Sequence, residues 1–191
     1  MARLEKNGYG QLELNQVAFP RTGRIEAQCA LDTTAFHEAG VKYGENVYDK
    51  DVPAENGMIL AIDEVNRTVG FASDNAQTRA KQIFALNYTS EHMYDDRDLG
   101  QLRKFKLFPG TFYPRLGFLS VGEKFTTNTV DLTTAWEGLT EEALKAGIYL
   151  IPGKDGYWTQ STEDAPVIAQ VIKKTTMPDG QKAVKLLIVK A

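Results

Sequence analysis

The residues best able to move a proton or attack an electrophile in this chain are two histidines, His37 and His92, and a single cysteine, Cys29. A general base needs a second group that orients it or holds its proton. Both histidines stand in polar stretches without such a companion: there is no G-x-S-x-G, no H-E-x-x-H and no cysteine-protease signature. Exposed loop histidines are the expectation. Cys29 falls on the apolar side of the alternating run Arg24 to Leu31 (RIEAQCAL), with Ile25, Ala27 and Leu31, where a cysteine packs as a small hydrophobe. Two histidines and one cysteine also fall short of the four ligands that a structural zinc site draws from these residue types.

The carboxylates offer other chemistry. Asp95, Asp96 and Asp98 beside Glu91 present hard oxygen ligands of the kind Ca²⁺ or Mg²⁺ takes, but Arg97 stands among them. The glycine and distal glutamate of an EF-hand loop are missing at their spacing, so a solvated charged loop is expected. Asp32 with Glu38, or Asp63 with Glu64, would suit a glycosidase acid pair in composition, yet acidic residues beside turns ordinarily serve the turn. Gly8-x-Gly10 and Gly153-x-x-Gly156 match neither the dinucleotide nor the phosphate-loop spacing, and read as turn glycines. Arg103, Lys104 and Lys106, interleaved with Phe105 and Phe108, form a strip on which single-stranded nucleic acid could stack. With 22 basic against 25 acidic residues and a net charge of -3, a structural strip, or one meeting an acidic protein surface, is preferred. The expectation is a non-enzymatic chain with no catalytic, metal or cofactor residue and no specific nucleic-acid partner.

The elements that would position these groups are mostly strands. Gln11 to Phe19 and Arg24 to Leu31 alternate with period two about Pro20, Thr22 and Gly23, and read as an N-terminal hairpin or arm. Asp32 to Asn56 is polar and mixed, which predicts a long loop with one helical turn near Ala35 to Ala39. Gly57 to Phe71 is strand, turn, strand, and its first strand is apolar on both faces, as a central strand would be. Gln82 to Tyr88 predicts another strand, with a short helix over Ala76 to Leu86 as the alternative. Gly117 to Val130 reads as two strands about Val121-Gly122-Glu123. Thr140 followed by Glu141 and Glu142, with Lys145 late and Gly147 as stop, predicts a helix near 140–146. Pro166 to Lys173 and Ala183 to Lys190 flank Met177-Pro178-Asp179-Gly180, a hairpin pattern. Gly57-Met58-Ile59-Leu60 and Gly147-Ile148-Tyr149-Leu150 weakly echo each other as hairpins entered through glycine. The fold class is therefore mainly β, a barrel or sandwich with an N-terminal strand or arm and one short helix. Residues 1–35 form the arm or hairpin and 36–191 a β-rich domain, with a subdivision near 90–110 left open.

Hydrophobic residues make up 42% and charged residues 25%, enough to bury a core, and no apolar run reaches the roughly 18 to 20 residues of a membrane span. Met1 to Gly10 (MARLEKNGYG) carries no apolar leader segment, which predicts cytoplasmic synthesis. Aromatics outnumber reactive groups, and binding by surface complementarity leans on aromatic residues and arginine. Candidate interface anchors are Tyr9, Phe19, Tyr43, Tyr48, Tyr113 and Arg115, with core burial the competing expectation for each.

The order of segments supplies a resemblance. Arg3 to Leu31 (RLEKNGYGQLELNQVAFPRTGRIEAQCAL), Val52 to Val69 (VPAENGMILAIDEVNRTV), Tyr113 to Leu132 (YPRLGFLSVGEKFTTNTVDL) and Met177 to Val189 (MPDGQKAVKLLIV) together resemble the capsid decoration or head auxiliary proteins of tailed bacteriophages. The resemblance implies a β-rich structural protein on the exterior of a virion, made in the host cytoplasm. Its implied partners are the major capsid protein and further copies of itself, with no membrane. It carries no assigned residue roles. A phage tail or neck component, a carbohydrate- or host-surface-binding β module using Trp136, Tyr157 or Trp158 as a platform, and a hydrolase built on His37 or His92 remain the competing readings.

Overall fold

A computed structural model describes residues 2–4, 9–18, 24–43, 46–89, 106–110 and 113–191; for 2–3, 41–43 and 46–50 it describes the backbone alone. In chain order the strands are β1 (Ala2–Arg3), β2 (Leu12–Gln16), β3 (Ile25–Glu26), β4 (Ala30–Leu31), β5 (His37–Tyr43) and β6 (Asn46–Asp51). They continue as β7 (Ala54–Glu55), β8 (Ile59–Asp63), β9 (Thr68–Gly70), β10 (Ile83–Asn87), β11 (Lys106–Leu107) and β12 (Leu116–Gly117). The last six are β13 (Lys124–Thr127), β14 (Val130–Leu132), β15 (Tyr149–Pro152), β16 (Trp158–Gln160), β17 (Ile168–Thr176) and β18 (Lys182–Lys190). The larger sheet runs β1-β14-β16-β15-β17-β18-β13-β2 and curls into half a barrel, and the smaller runs β3-β12-β10-β8-β9-β4. β7 with β11, and β5 with β6, form two-stranded ribbons. The protein is mainly β, as the alternation predicts.

The smaller sheet is covered on both faces. Ile59, Ala61, Phe84 and Leu86 join Phe125, Trp158, Leu150 and Ile188 of the larger sheet in one core. Met58, Leu60, Ile62 and Ala85, with the opposite parity, pack against Phe36, Ala54 and Leu107 in a second. Period-two alternation sends successive side chains to opposite faces, so an unbroken apolar run is what a doubly covered strand requires. Each fully buried Leu or Phe contributes about 1.5–3 kcal/mol relative to exposure, which makes these two interfaces the bulk of the stabilisation. The central position of β8, between β10 and β9, agrees with its apolar sequence.

Local signals explain the elements that formed as expected. The helix Glu141–Ala146 is capped by the Thr140 hydroxyl, which accepts from the Ala143 amide at 3.3 Å, and stops at Gly147 with φ of 94°. β17 and β18 form the expected C-terminal hairpin. Of the two readings of 76–88 the strand is realised, as β10, and the alternative helix over Ala76 to Leu86 is reduced to a single turn, Ala76–Arg79, capped by Asn75.

Three expectations are corrected. β2 pairs with β13 in the larger sheet while β3 pairs with β12 in the smaller, so the two N-terminal segments do not form a hairpin with each other. Arg24 to Leu31 is two short strands, not one, because the Glu26 carboxylate accepts from the Gln28 and Cys29 amides and turns the chain between them. Asp32 to Asn56 is not a long loop: a turn at 33–36 leads into the β5–β6 ribbon, anchored where the Val52 amide donates to the Phe36 carbonyl at 2.9 Å. The turn at Val121-Gly122 likewise carries the chain from β12 in one sheet to β13 in the other.

Two glycines separate backbone strain from packing. Gly57 has φ of 82°, and a Cβ there would overlap the Thr127 hydroxyl and lie 2.7 Å from that of Thr129. Gly122 has φ of 94° with open space around it. Gly122→Ala is expected to destabilise by about 1 kcal/mol from backbone strain alone. Gly57→Ala adds overpacking and should lose about 3 kcal/mol or more. Urea unfolding midpoints of the two variants provide the comparison, and equal losses would contradict it.

Candidate interaction surface

A buried polar seam fixes where the exposed side chains can lie. The Gln11 amide donates to Asn128 Oδ1 at 2.7 Å, and Asn128 Nδ2 donates to the Tyr9 carbonyl at 2.8 Å and to Gln181 Oε1 at 3.0 Å. The Gly10 amide donates to the buried Glu55 carboxylate, which Lys106 also approaches at 3.1 Å. Asn87 Nδ2 donates to the Glu55 carbonyl, and its Oδ1 accepts from the Thr89 hydroxyl at 2.6 Å. Buried polar groups are tolerated only when paired in this way, and a paired network admits few alternative arrangements. The seam therefore ties residues 9–11 to both sheets and to the tip of the C-terminal hairpin.

That tip is organised by Asp179. Its carboxylate accepts from the Tyr9 hydroxyl at 2.5 Å, Gln11 Nε2 at 2.9 Å and Gln181 Nε2 at 2.9 Å. Burial works against ionisation here, but the bonds from Tyr9, Gln11 and Gln181 outweigh it and hold the carboxyl well below the usual carboxylate range. Tyr9 is thus half-buried, with its hydroxyl engaged within the chain.

The other interface candidates divide by position. Tyr113 is 60% exposed and Arg115 is exposed, on a backbone held by the Arg115 amide donating to Thr89 Oγ1 and by the Tyr88 amide donating to the Arg115 carbonyl. Tyr43 closes β5 and Tyr48 lies within β6, in the ribbon outside both sheets, and their side chains lie outside what is described. Phe19 falls outside the described residues, as do His92, Glu91, Asp95, Asp96, Asp98, Arg103, Lys104 and Phe105. Lys106 of the basic strip is turned to Glu55.

The remaining chemistry-bearing residues serve the fold locally. Asp63 Oδ1 accepts from the Val65 and Asn66 amides, each at 3.0 Å, and Asp32 Oδ1 from the Thr34 amide at 2.7 Å, so both proposed acid pairs lose a member to a turn. His37 and Asp51 face each other at 3.8 Å across the ribbon, both exposed. Burial, then the Glu26 carboxylate, pushes the Cys29 thiol up to about 11; Glu26, Cys29 and Glu64 lie close together. Trp158 is fully buried, with Nε1 donating to the Gly57 carbonyl at 3.2 Å, which removes it from the aromatic platform of a carbohydrate-binding module. Trp136 is half-buried beneath the Lys174 and Lys182 ammonium groups, at 4.1 and 5.1 Å from the ring centroid. No helix among the described residues is long and apolar enough to cross a membrane.

The polar seam, which holds residues 9–11 in place, is what sequence reasoning missed. Its only local signal is the cluster Thr126-Thr127-Asn128-Thr129, polar residues inside an otherwise strand-like run.

Asp179→Asn keeps the shape of the carboxylate but removes its charge. We expect a loss of about 1 kcal/mol, discounted for the exposure of the turn, and faster amide exchange at residues 9–11. A depressed carboxyl stabilises in full above its unfolded pKa of about 4, and the contribution fades as pH falls from there through the lower folded value. The difference between wild type and variant should therefore be constant from pH 7 to about 4 and shrink only in stronger acid; a difference that vanishes near neutrality would contradict the assignment. Cys29 gives a second check: at pH 8 iodoacetamide should leave it unmodified in the native protein and alkylate it once urea unfolds the chain.

Compared with known proteins, the chain matches no family model, no curated protein and no solved structure.

Proposed function

We propose that this protein is a non-enzymatic structural component that binds and decorates a bacteriophage capsid lattice, with the major capsid protein as its partner. The observation that carries the reading is the β5–β6 ribbon. Strands of seven and six residues pair with each other and, among the described residues, with no strand of either sheet. A two-stranded ribbon gains little stability alone, so one that stands apart from the sheets is stabilised by packing against a neighbour. Pairing with an extended segment of a partner is a common mode of protein recognition. The described residues at the base of the ribbon, 37–40 and Asp51, are exposed.

Two further features support it. The Tyr113 and Arg115 side chains stand out from a hydrogen-bonded backbone, so their ordering cost on binding is low. The segment order in the chain resembles head auxiliary proteins, whose many identical copies turn modest contacts into large avidity.

Electron microscopy of phage capsids incubated with the purified protein tests the reading. Regular density at lattice positions is the expected result, and its absence, together with absence of the protein from purified virions, overturns it. Replacing residues 39–49 by a two-residue turn should leave urea unfolding of the sheets cooperative and lower capsid binding by at least about tenfold. Removing the residues before Gln11 tests the N-terminal segment in the same assay. Because Tyr9 and Gly10 belong to the polar seam, that truncation is expected to lower stability as well as binding.

A further inference from the structure

Charge is segregated in this chain. Residues 24–87, which supply most of the smaller sheet and the β5–β6 ribbon, hold ten acidic and six basic residues. The hairpin β17–β18 with its turn holds five lysines and one aspartate. Each of these two charged parts of the chain, the acidic pole and the basic pole, carries one surface feature. At the acidic pole the β8–β9 turn, Asp63 to Arg67, carries Val65 at its tip with 92% of its surface exposed. The turn is locked: Asp63 accepts from the Val65 and Asn66 amides and, at 2.7 Å, from Asn66 Nδ2, while Arg67 takes a left-handed φ of 53°. Glu64 beside the valine is exposed and has no basic partner among the described residues.

At the basic pole an open groove of about 520 Å³ runs between the helix Glu141–Ala146 and β17. Leu139, Leu144 and Ile172 give it an apolar lining, and Lys173 and Lys174 line it together with Lys145 and Glu141, which pair with each other at 3.7 Å. The register of β17 against β18 shifts between Val171 and Lys173, so Ile172 is set at a bulge. Lys173 lies opposite Lys185, and neither has an acidic partner among the described residues. Like charges directly opposite on a sheet destabilise it, and an incoming carboxylate would relieve that repulsion.

We propose that this protein self-associates head to tail, the Asp63–Arg67 turn of one copy seating in the helix–β17 groove of the next. Val65 meets the Leu139, Leu144 and Ile172 lining, and Glu64 meets Lys173. A rigid turn loses little conformational freedom on docking, and an apolar tip beside a carboxylate complements an apolar groove edged by lysines. The two patches are different surfaces of the same chain, so the contact is heterologous: it closes into a ring or propagates as a row. This inference concerns the free protein and stands or falls without a capsid.

Sedimentation velocity of the purified chain over a concentration series tests it. Association is expected to strengthen with concentration and to weaken between about 50 and about 500 mM sodium chloride as the charges are screened. Glu64→Lys and Lys173→Glu should each weaken it by at least about tenfold. The decisive measurement mixes the two variants. The intact turn of Lys173→Glu fits the intact groove of Glu64→Lys, and the altered turn and groove of the two variants form the reversed pair, so an equimolar mixture should associate again with the two variants alternating, and the double variant should associate through the reversed pair alone. A wild type that stays monomeric in low salt, variants that associate like wild type, or a mixture that stays monomeric would each overturn the proposal. So would a monomer whose groove captures a polyglutamate peptide through Lys173, which would assign the groove to a different acidic partner.

Discussion

The close approach at Gly57 is the point on which the two sheets depend. Without a side chain, Gly57 lets the end of β13 come near enough for Thr127 and Thr129 to pack against its Cα and for the Trp158 indole to donate to its carbonyl. Its amide donates to Asn87 of the smaller sheet at 2.8 Å, and two residues on, Ile59 donates to the Gly156 carbonyl at 2.9 Å. One residue therefore carries contacts to both sheets, and its positive φ sets the direction in which the chain enters β8 of the smaller sheet. The two cores on either side of β8 form only if that strand enters at this angle, because a shift of one residue would exchange its two apolar faces.

What could be read from the sequence follows the range of the interactions involved. The helix at 141–146 was legible because its cap, its acidic first turn and its terminating glycine are all local. β8 was legible because Met58 to Ile62 is apolar on both faces, and the C-terminal hairpin because its turn lies between two alternating runs. The pairing of β2 and β3 was misread for the opposite reason. Turn residues near Pro20 say that the chain bends, but the partner strand is chosen by long-range packing, here with β13 and β12 over a hundred residues and about ninety residues away. The β5–β6 ribbon escaped notice because its polar, mixed sequence carries no sustained apolar alternation. Its pairing is visible only in the backbone.

The candidate surface was legible in kind but not in place. Aromatic residues and arginine were singled out by chemistry, yet their roles depend on which contacts the fold offers. Tyr9 finds Asp179 at a sequence distance of 170 residues and turns inward to it, whereas Tyr113 finds exposure beside a backbone already satisfied by Thr89. Trp158, the most conspicuous side chain for stacking on a sugar, is needed where the sheets meet. Polar residues were harder still, since a buried Glu55 or Asn128 differs from an exposed one only by partners that the chain brings from afar.

The distribution of order within the molecule supports recognition by parts rather than by a pocket. The apolar cores and most of the seam's polar groups are packed and paired within the chain. Groups exposed among the described residues include the base of the β5–β6 ribbon, Tyr113, Arg115, Glu64 and Lys173. Edge pairing is tolerant of sequence because it uses backbone groups, while the charged poles are selective because like charges repel. In the proposed capsid role, that division would let backbone pairing supply attachment while charge sets which face of each copy meets the next.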